Sequence, residues 1–145
     1  MKNKITLLLL IGVSLLSAQQ KSTGVVTLST NMAATLTLDN GTSTATLSLT
    51  GPNDRWFALQ FGSFTGGMAA GSDLVYWDNV TLVDARHVGI GSTPTTDATN
   101  NWTITSNLNN SPSAGLRTIV ATRAFNTGDA NDFTFNFSDT SIDFA

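Results

Sequence analysis

The chemistry available to this sequence is concentrated between residues 51 and 79, where one methionine lies in a loop of small residues. Met68 is surrounded by Gly66, Gly67, Ala69, Ala70 and Gly71. Small residues let a flat partner approach the backbone, and the methionine thioether is a polarizable group that can face it. The loop therefore predicts a binding site, while a flexible loop methionine or a core gap-filler is the plainer interpretation.

Aromatic side chains lie on both sides of this loop and elsewhere in the chain. Their flat faces suit a sugar ring or a porphyrin equally well, although core packing is the usual role of such residues. The candidates are Trp56, Tyr76, Trp77 and Trp102.

Arg123 lies on an otherwise apolar segment, where its guanidinium could bind a propionate or another carboxylate with two hydrogen bonds. A structural ion pair is the stronger interpretation, because a buried arginine needs a counter-charge. The aspartates considered as its partners are Asp84, Asp129 and Asp132.

His87 is the single histidine. It could bind a metal or act as a base, but a strand histidine with an ordinary hydrogen bond is favoured, since no second metal ligand is suitably spaced. Asp129, Asn131 and Asp132 offer oxygen ligands for calcium, yet the set is short for a complete loop, so a local turn is preferred.

The sequence contains no recognisable catalytic motif. It lacks a nucleophile elbow, a phosphate-binding loop and a zinc-protease motif, and it has neither cysteine nor glutamate. We therefore expect a binding domain rather than an enzyme.

The amino terminus predicts export. Lys2 and Lys4 precede an apolar run from 7 to 16 and a small-residue exit at Ser17 and Ala18, which is typical of a cleaved secretory signal peptide. The run is shorter than the roughly 20 residues of a membrane-spanning helix, so no transmembrane segment is expected. Residues 1–18 are thus the predicted signal peptide and 19–145 a single domain, located outside the cytoplasm as a secreted, cell-surface or periplasmic protein.

The charge of the chain excludes some classes of partner. Ten acidic residues outnumber seven basic ones, and the formal net charge is −3. Nucleic acids and anionic membranes attract basic surfaces, so neither is an expected partner.

Apolar and polar residues alternate with a period of two along most of the mature chain, which predicts strands. Asp39-Asn40-Gly41 predicts a hairpin between 34–38 and 44–50. The segment 56–62 is apolar on both faces and predicts a central strand, and apolar alternation at 133–137 and 142–144 predicts the last strands. An apolar ending also suggests a chain truncated at its carboxyl end. The expected fold is an all-β antiparallel immunoglobulin-like sandwich of about ten short strands.

Four segments within residues 51–132 together resemble the DOMON family. They are the tryptophan strand 55–62, the loop 67–75, Val83-Asp84-Ala85-Arg86, and the turn 123–132. The resemblance implies an immunoglobulin-like sandwich that holds haem b or a sugar between its sheets, as in the cytochrome domain of cellobiose dehydrogenase. Met68 occupies the place of an axial iron ligand. The usual second ligand, a histidine beyond the Thr-Gly-Asp turn, has no counterpart up to Ala145.

From this resemblance we expect a secreted domain that binds haem b and transfers electrons to or from a redox partner protein. Met68 would bind the iron, and Trp56, Phe57, Phe61, Trp77 and Arg123 would surround the cofactor. A carbohydrate-binding module and a ligand-free adhesion or scaffold module of a larger surface protein are the alternatives.

Overall fold

A computed structural model describes residues 19–62 and 70–145. The predicted signal peptide, and the loop residues 63–69 that include Met68, lie outside the described residues. The described part contains ten strands and no helix. A membrane-spanning helix is therefore absent from the described residues. The strands are β1 (Gln20–Ser22), β2 (Val26–Ser29), β3 (Met32–Asp39), β4 (Thr44–Pro52), β5 (Phe57–Gln60), β6 (Asp73–Trp77), β7 (Leu82–Arg86), β8 (Thr95–Thr96), β9 (Thr103–Asn109) and β10 (Leu116–Ala124).

The strands form two antiparallel sheets that pack face to face. The larger sheet has the order β1-β3-β4-β10-β9, with β2 also paired to β3, and the smaller sheet has the order β5-β6-β7-β8. Buried side chains from both sheets belong to one hydrophobic core. The predicted all-β antiparallel sandwich is confirmed.

The predicted hairpin between β3 and β4 is also confirmed. Leu36 pairs with Leu47, and both side chains point into the core because successive residues of a strand alternate between its faces. Asp39 accepts a hydrogen bond from the backbone N–H of Thr42, and Ser43 adopts a φ of 52°, which closes the turn.

Aromatic residues fill the space between the sheets at one end of the sandwich. Phe61 stacks on Trp102 with ring centroids 6.0 Å apart and meets Phe135 edge-on at 5.3 Å. At the other end, Gly51 is required by close packing, because a Cβ there would lie 2.3 Å from the ring of Phe57. These contacts fix the distance between the sheets.

Two predictions about individual strands differ from the structure. The segment containing β5 is an edge of the smaller sheet, not a central strand, and its outer face carries the exposed Trp56. Residues 133–137 are not a strand. In the segment 142–144, Phe144 forms an isolated antiparallel bridge with Phe61, and backbone hydrogen bonds join Gln60 to Ala145 and Gly62 to Asp143. The phenylalanines of 133–137 pack on the core from a loop, so apolar alternation there reflects burial without strand pairing.

Candidate functional site

Strands β5 and β6 direct alternate side chains to opposite faces of the smaller sheet. Phe57 and Leu59 enter the core, whereas Ala58 and Gln60 face outward, where Ala58 pairs with Tyr76 and Gln60 with Leu74. This outer face is the floor of a groove of about 790 Å³. Trp56, the loop 91–94 and Ala145 also line it. We call this feature the outer groove.

Trp56 and Tyr76 give the outer groove its aromatic character. Trp56 is 63% exposed, an unusual position for the largest apolar side chain, and Tyr76 is half-buried beside it on the same face. An exposed indole offers its flat face to a ligand, while a tyrosine combines an apolar ring with a polar hydroxyl.

Two buried polar groups line the same groove. Gln60 and His87 are only 5% and 4% exposed, and neither Gln60 Nε2 nor His87 Nδ1 has a hydrogen-bond partner among the described residues. Buried polar groups are normally paired, and a group left unpaired costs about 1–3 kcal/mol. A bound molecule that pairs with both groups would recover this cost.

The backbone holds His87 in position on this face. Its N–H donates to the carbonyl of Ser72 at 2.9 Å, and its carbonyl accepts from the N–H of Gly71 at 2.7 Å. Burial lowers the pKa of the imidazole, because the charged form loses its hydration. His87 is therefore held as a neutral ring, with one nitrogen that donates and one that accepts.

Of the residues predicted as a site, the structure separates Trp56 from the others that it describes. Trp56 lies in the outer groove, whereas Phe57, Phe61 and Trp77 lie on the opposite face of the sheet, 1–2% exposed within the core. Met68 is outside the described residues, so its role as an iron ligand stays a prediction.

Arg123 lies inside the sandwich, and its guanidinium is already engaged. One nitrogen donates to Asp73 Oδ2 at 2.7 Å and to the carbonyl of Phe133 at 2.6 Å. The guanidinium carbon lies 4.8 Å from the ring centroid of Trp102. A structural ion pair is therefore present, but its main partner is Asp73, which was not among the predicted aspartates. Of those, Asp84 and Asp132 lie within 4.0 Å of the guanidinium.

Sequence reasoning did not identify Gln60 or Asp73 as site residues. Gln60 could have been found, because it occupies an outward position of a strand whose inward positions are all apolar. Asp73 gave no such signal, since its role depends on Arg123, fifty residues away in the chain.

The predicted haem walls between the sheets are packed against other core residues. Phe57 packs against Gly51, and Phe61 is enclosed by Trp102 and Phe135, so a porphyrin between the sheets would have to displace these rings. The outer groove offers an apolar floor and a neutral imidazole instead.

No family model matches the sequence, and neither a curated protein nor a solved structure matches it. The resemblance to the DOMON family thus remains a prediction.

Proposed function

We propose that this protein is a secreted carbohydrate-binding domain and that the outer groove holds a sugar chain. The observation that carries the proposal is the exposed Trp56 in the same groove as polar atoms of Gln60 and His87 that have no hydrogen-bond partner in the described part of the chain. A sugar ring has an apolar face of C–H groups and a rim of hydroxyls. The groove presents a matching surface for each.

The polar groups suit hydroxyls better than charged ligands. The Gln60 amide donates from its nitrogen, and the neutral His87 can either donate to a hydroxyl or accept from one. Ser92 and Thr93 add further hydroxyl groups on the opposite wall. Recognition by a few polar groups on an apolar, aromatic floor is the usual composition of a small-molecule site.

The acidic side chain that lines the groove has a structural role, which favours a binding site over a glycosidase site. Asp78 is the single acidic side chain among the described lining residues. Its Oδ1 accepts hydrogen bonds from the N–H groups of Val80 and Thr81, so it stabilises the β6–β7 turn. Most glycosidases need two carboxyl groups that flank the sugar bond.

Affinity electrophoresis through gels containing soluble polysaccharides, followed by a glycan array, tests the proposal. We expect at least one polysaccharide to retard the wild-type protein, and Trp56→Ala to weaken that binding about tenfold or more, since stacking is lost. Val25→Ala is the matched control, because Val25 is 78% exposed and does not line the outer groove. Equal retardation of wild type and Trp56→Ala by every glycan would contradict the proposal.

Haem b is the second candidate, because the apolar groove contains a neutral imidazole with an unpartnered nitrogen among the described residues. If haem binds, the iron would carry electrons to a redox partner protein. The test is an optical spectrum of the purified protein with added haem, before and after reduction.

Spectra of the wild type and of two variants distinguish the possible iron ligands. Split visible bands on reduction would establish a b-type cytochrome domain. Loss of those bands in His87→Ala would assign the groove histidine, and loss in Met68→Ala would assign the predicted loop methionine. A protein that retains no added haem rules out the haem hypothesis.

A further inference from the structure

Three aspartates from separate segments meet inside the sandwich, on the face of the smaller sheet opposite the outer groove. Asp73 lies on β6, Asp84 on β7, and Asp132 in the segment after β10. Asp73 and Asp84 are 3% and 0% exposed. One carboxylate oxygen from each of the three lies within 4.8 Å of the others. We call these three residues the aspartate cluster.

Each carboxylate of the cluster is held by a hydrogen bond to one of its oxygens. Asp73 Oδ2 accepts from the N–H of Phe133 at 2.8 Å and from Arg123. Asp84 Oδ2 accepts from the N–H of Asn101 at 2.8 Å, and Asp132 Oδ2 accepts from the hydroxyl of Thr127. These donors orient the carboxylates in the way that outer-shell groups orient metal ligands.

The second oxygen of each carboxylate is buried and unused. The Oδ1 atoms of Asp73, Asp84 and Asp132 have no hydrogen-bond partner within residues 19–62 and 70–145. Three buried acceptors without donors, close to one another, are what an oxygen-ligated cation requires.

Arg123 forms ion pairs with two of these oxygens but no hydrogen bond. Its Nη1, which also has no hydrogen-bond partner among the described residues, lies 4.0 Å from Asp84 Oδ1 and 3.8 Å from Asp132 Oδ1, beyond hydrogen-bonding distance. One guanidinium compensates one negative charge of the cluster and leaves two when all three carboxyl groups are ionised.

We propose that the aspartate cluster binds a divalent cation with a preference for oxygen ligands, and that Ca²⁺ is the best match. Ca²⁺ accepts carboxylate oxygens at about 2.3–2.6 Å in irregular geometry, so ligand oxygens lie up to about 5 Å apart across the ion. One such ion neutralises the two excess charges. Mg²⁺ demands a smaller and more regular ligand set.

The surroundings of the cluster provide more ligands and a path of entry. Asp97 and Asp129 offer oxygens that lie within 4.8 Å of one another and of Asp132. A cavity of about 250 Å³ reaches Asp73 and Asp132 from the surface between Ser72 and Asn131. A bound ion would tie β6, β7 and the segment after β10 together, independently of any ligand in the outer groove.

Terbium luminescence and thermal unfolding test this site on chelator-treated full-length mature protein. Tb³⁺ substitutes for Ca²⁺ and emits when a nearby tryptophan is excited; Trp102, packed on Arg123 at 4.8 Å, is well placed to sensitise it. We expect tryptophan-sensitised Tb³⁺ emission, and we expect it to fall when added Ca²⁺ displaces the bound Tb³⁺. We also expect Ca²⁺ at about 10 mM, well above the dissociation constants of extracellular calcium modules, to raise the Tm by at least about 5 °C.

Variants that each remove one negative charge test whether the Ca²⁺ response comes from the aspartate cluster. Asp84→Asn keeps the size of the side chain and is expected to lower Ca²⁺ affinity at least about tenfold and to abolish the Tm shift. Asp132→Asn serves as a second cluster variant if Asp84→Asn does not fold. Asp54→Asn removes the same charge from an exposed ion pair and should respond like wild type. Absence of both emission and Tm shift in wild type would overturn the site, as would an undiminished response in a folded cluster variant.

Discussion

Replacing Arg123 by methionine should destabilise the domain strongly when divalent cations are removed. The side chain of Arg123 is fully buried beside Asp73 and Asp84, whose side chains are 2% and 0% exposed. Methionine preserves much of the apolar stem but removes the charge, so the carboxylates lose the guanidinium that pairs with them. Breaking a buried ion pair by deleting one partner costs about 3–5 kcal/mol, a large part of the about 5–15 kcal/mol that stabilises a typical domain.

Urea unfolding in a chelating buffer near neutral pH, followed by tryptophan fluorescence, measures this loss. Trp77 and Trp102 are 2% and 4% exposed and report the opening of the core. Arg55→Met is the control, because Arg55 pairs with Asp54 at the surface and its loss should change the free energy of unfolding little.

The Asp73→Asn variant completes a double-mutant cycle. Because Arg123 donates to Asp73 directly, the two substitutions should be coupled by about 1 kcal/mol or more. A loss below about 1 kcal/mol in Arg123→Met, or additive effects in the double variant, would refute the buried-pair reasoning.

Three further predictions concern other parts of the molecule. Gly51→Ala should cost about 1–3 kcal/mol in urea unfolding, because its Cβ would meet the Phe57 ring at 2.3 Å. Gly41→Ala should cost less, because its Cβ would meet the flexible side chain of the exposed Gln19 and, at 3.3 Å, Asp39 Oδ1. Trp56→Ala should alter the free energy of unfolding by no more than about 0.5 kcal/mol, since Trp56 is 63% exposed, and a larger loss would show that it supports the fold. His87 has a lowered folded-state pKa, so the unfolded chain binds its proton more readily; its contribution to stability should be complete above about pH 6.5 and decrease as the pH falls toward that lower pKa. The difference in unfolding free energy between wild type and His87→Asn across this range measures the effect, and a difference that does not change with pH would contradict it.

Much of the fold followed from local pattern. Alternation in β3, β4 and β10 predicted both the strands and their buried faces, because a strand with one covered face repeats every two residues. In the structure, Arg123 lies on the buried face of β10 together with Ile119 and Ala121. Alternation failed at 133–137, where phenylalanines fill the core from a loop and so repeat without any strand pairing.

The candidate sites depended on contacts that local pattern does not contain. The sequence by itself determined the all-β class, the hairpin at 39–41, the lack of disulfides and the acidic charge, since these follow from composition and near neighbours. Only the tertiary structure decided that Asp73, Asp84 and Asp132 converge on Arg123, and that Trp56 shares a groove with His87. Such meetings result from the order of strands in the sheets and from the packing of one sheet on the other. Many strand orders satisfy the same alternation, and the burial of the whole core selects among them.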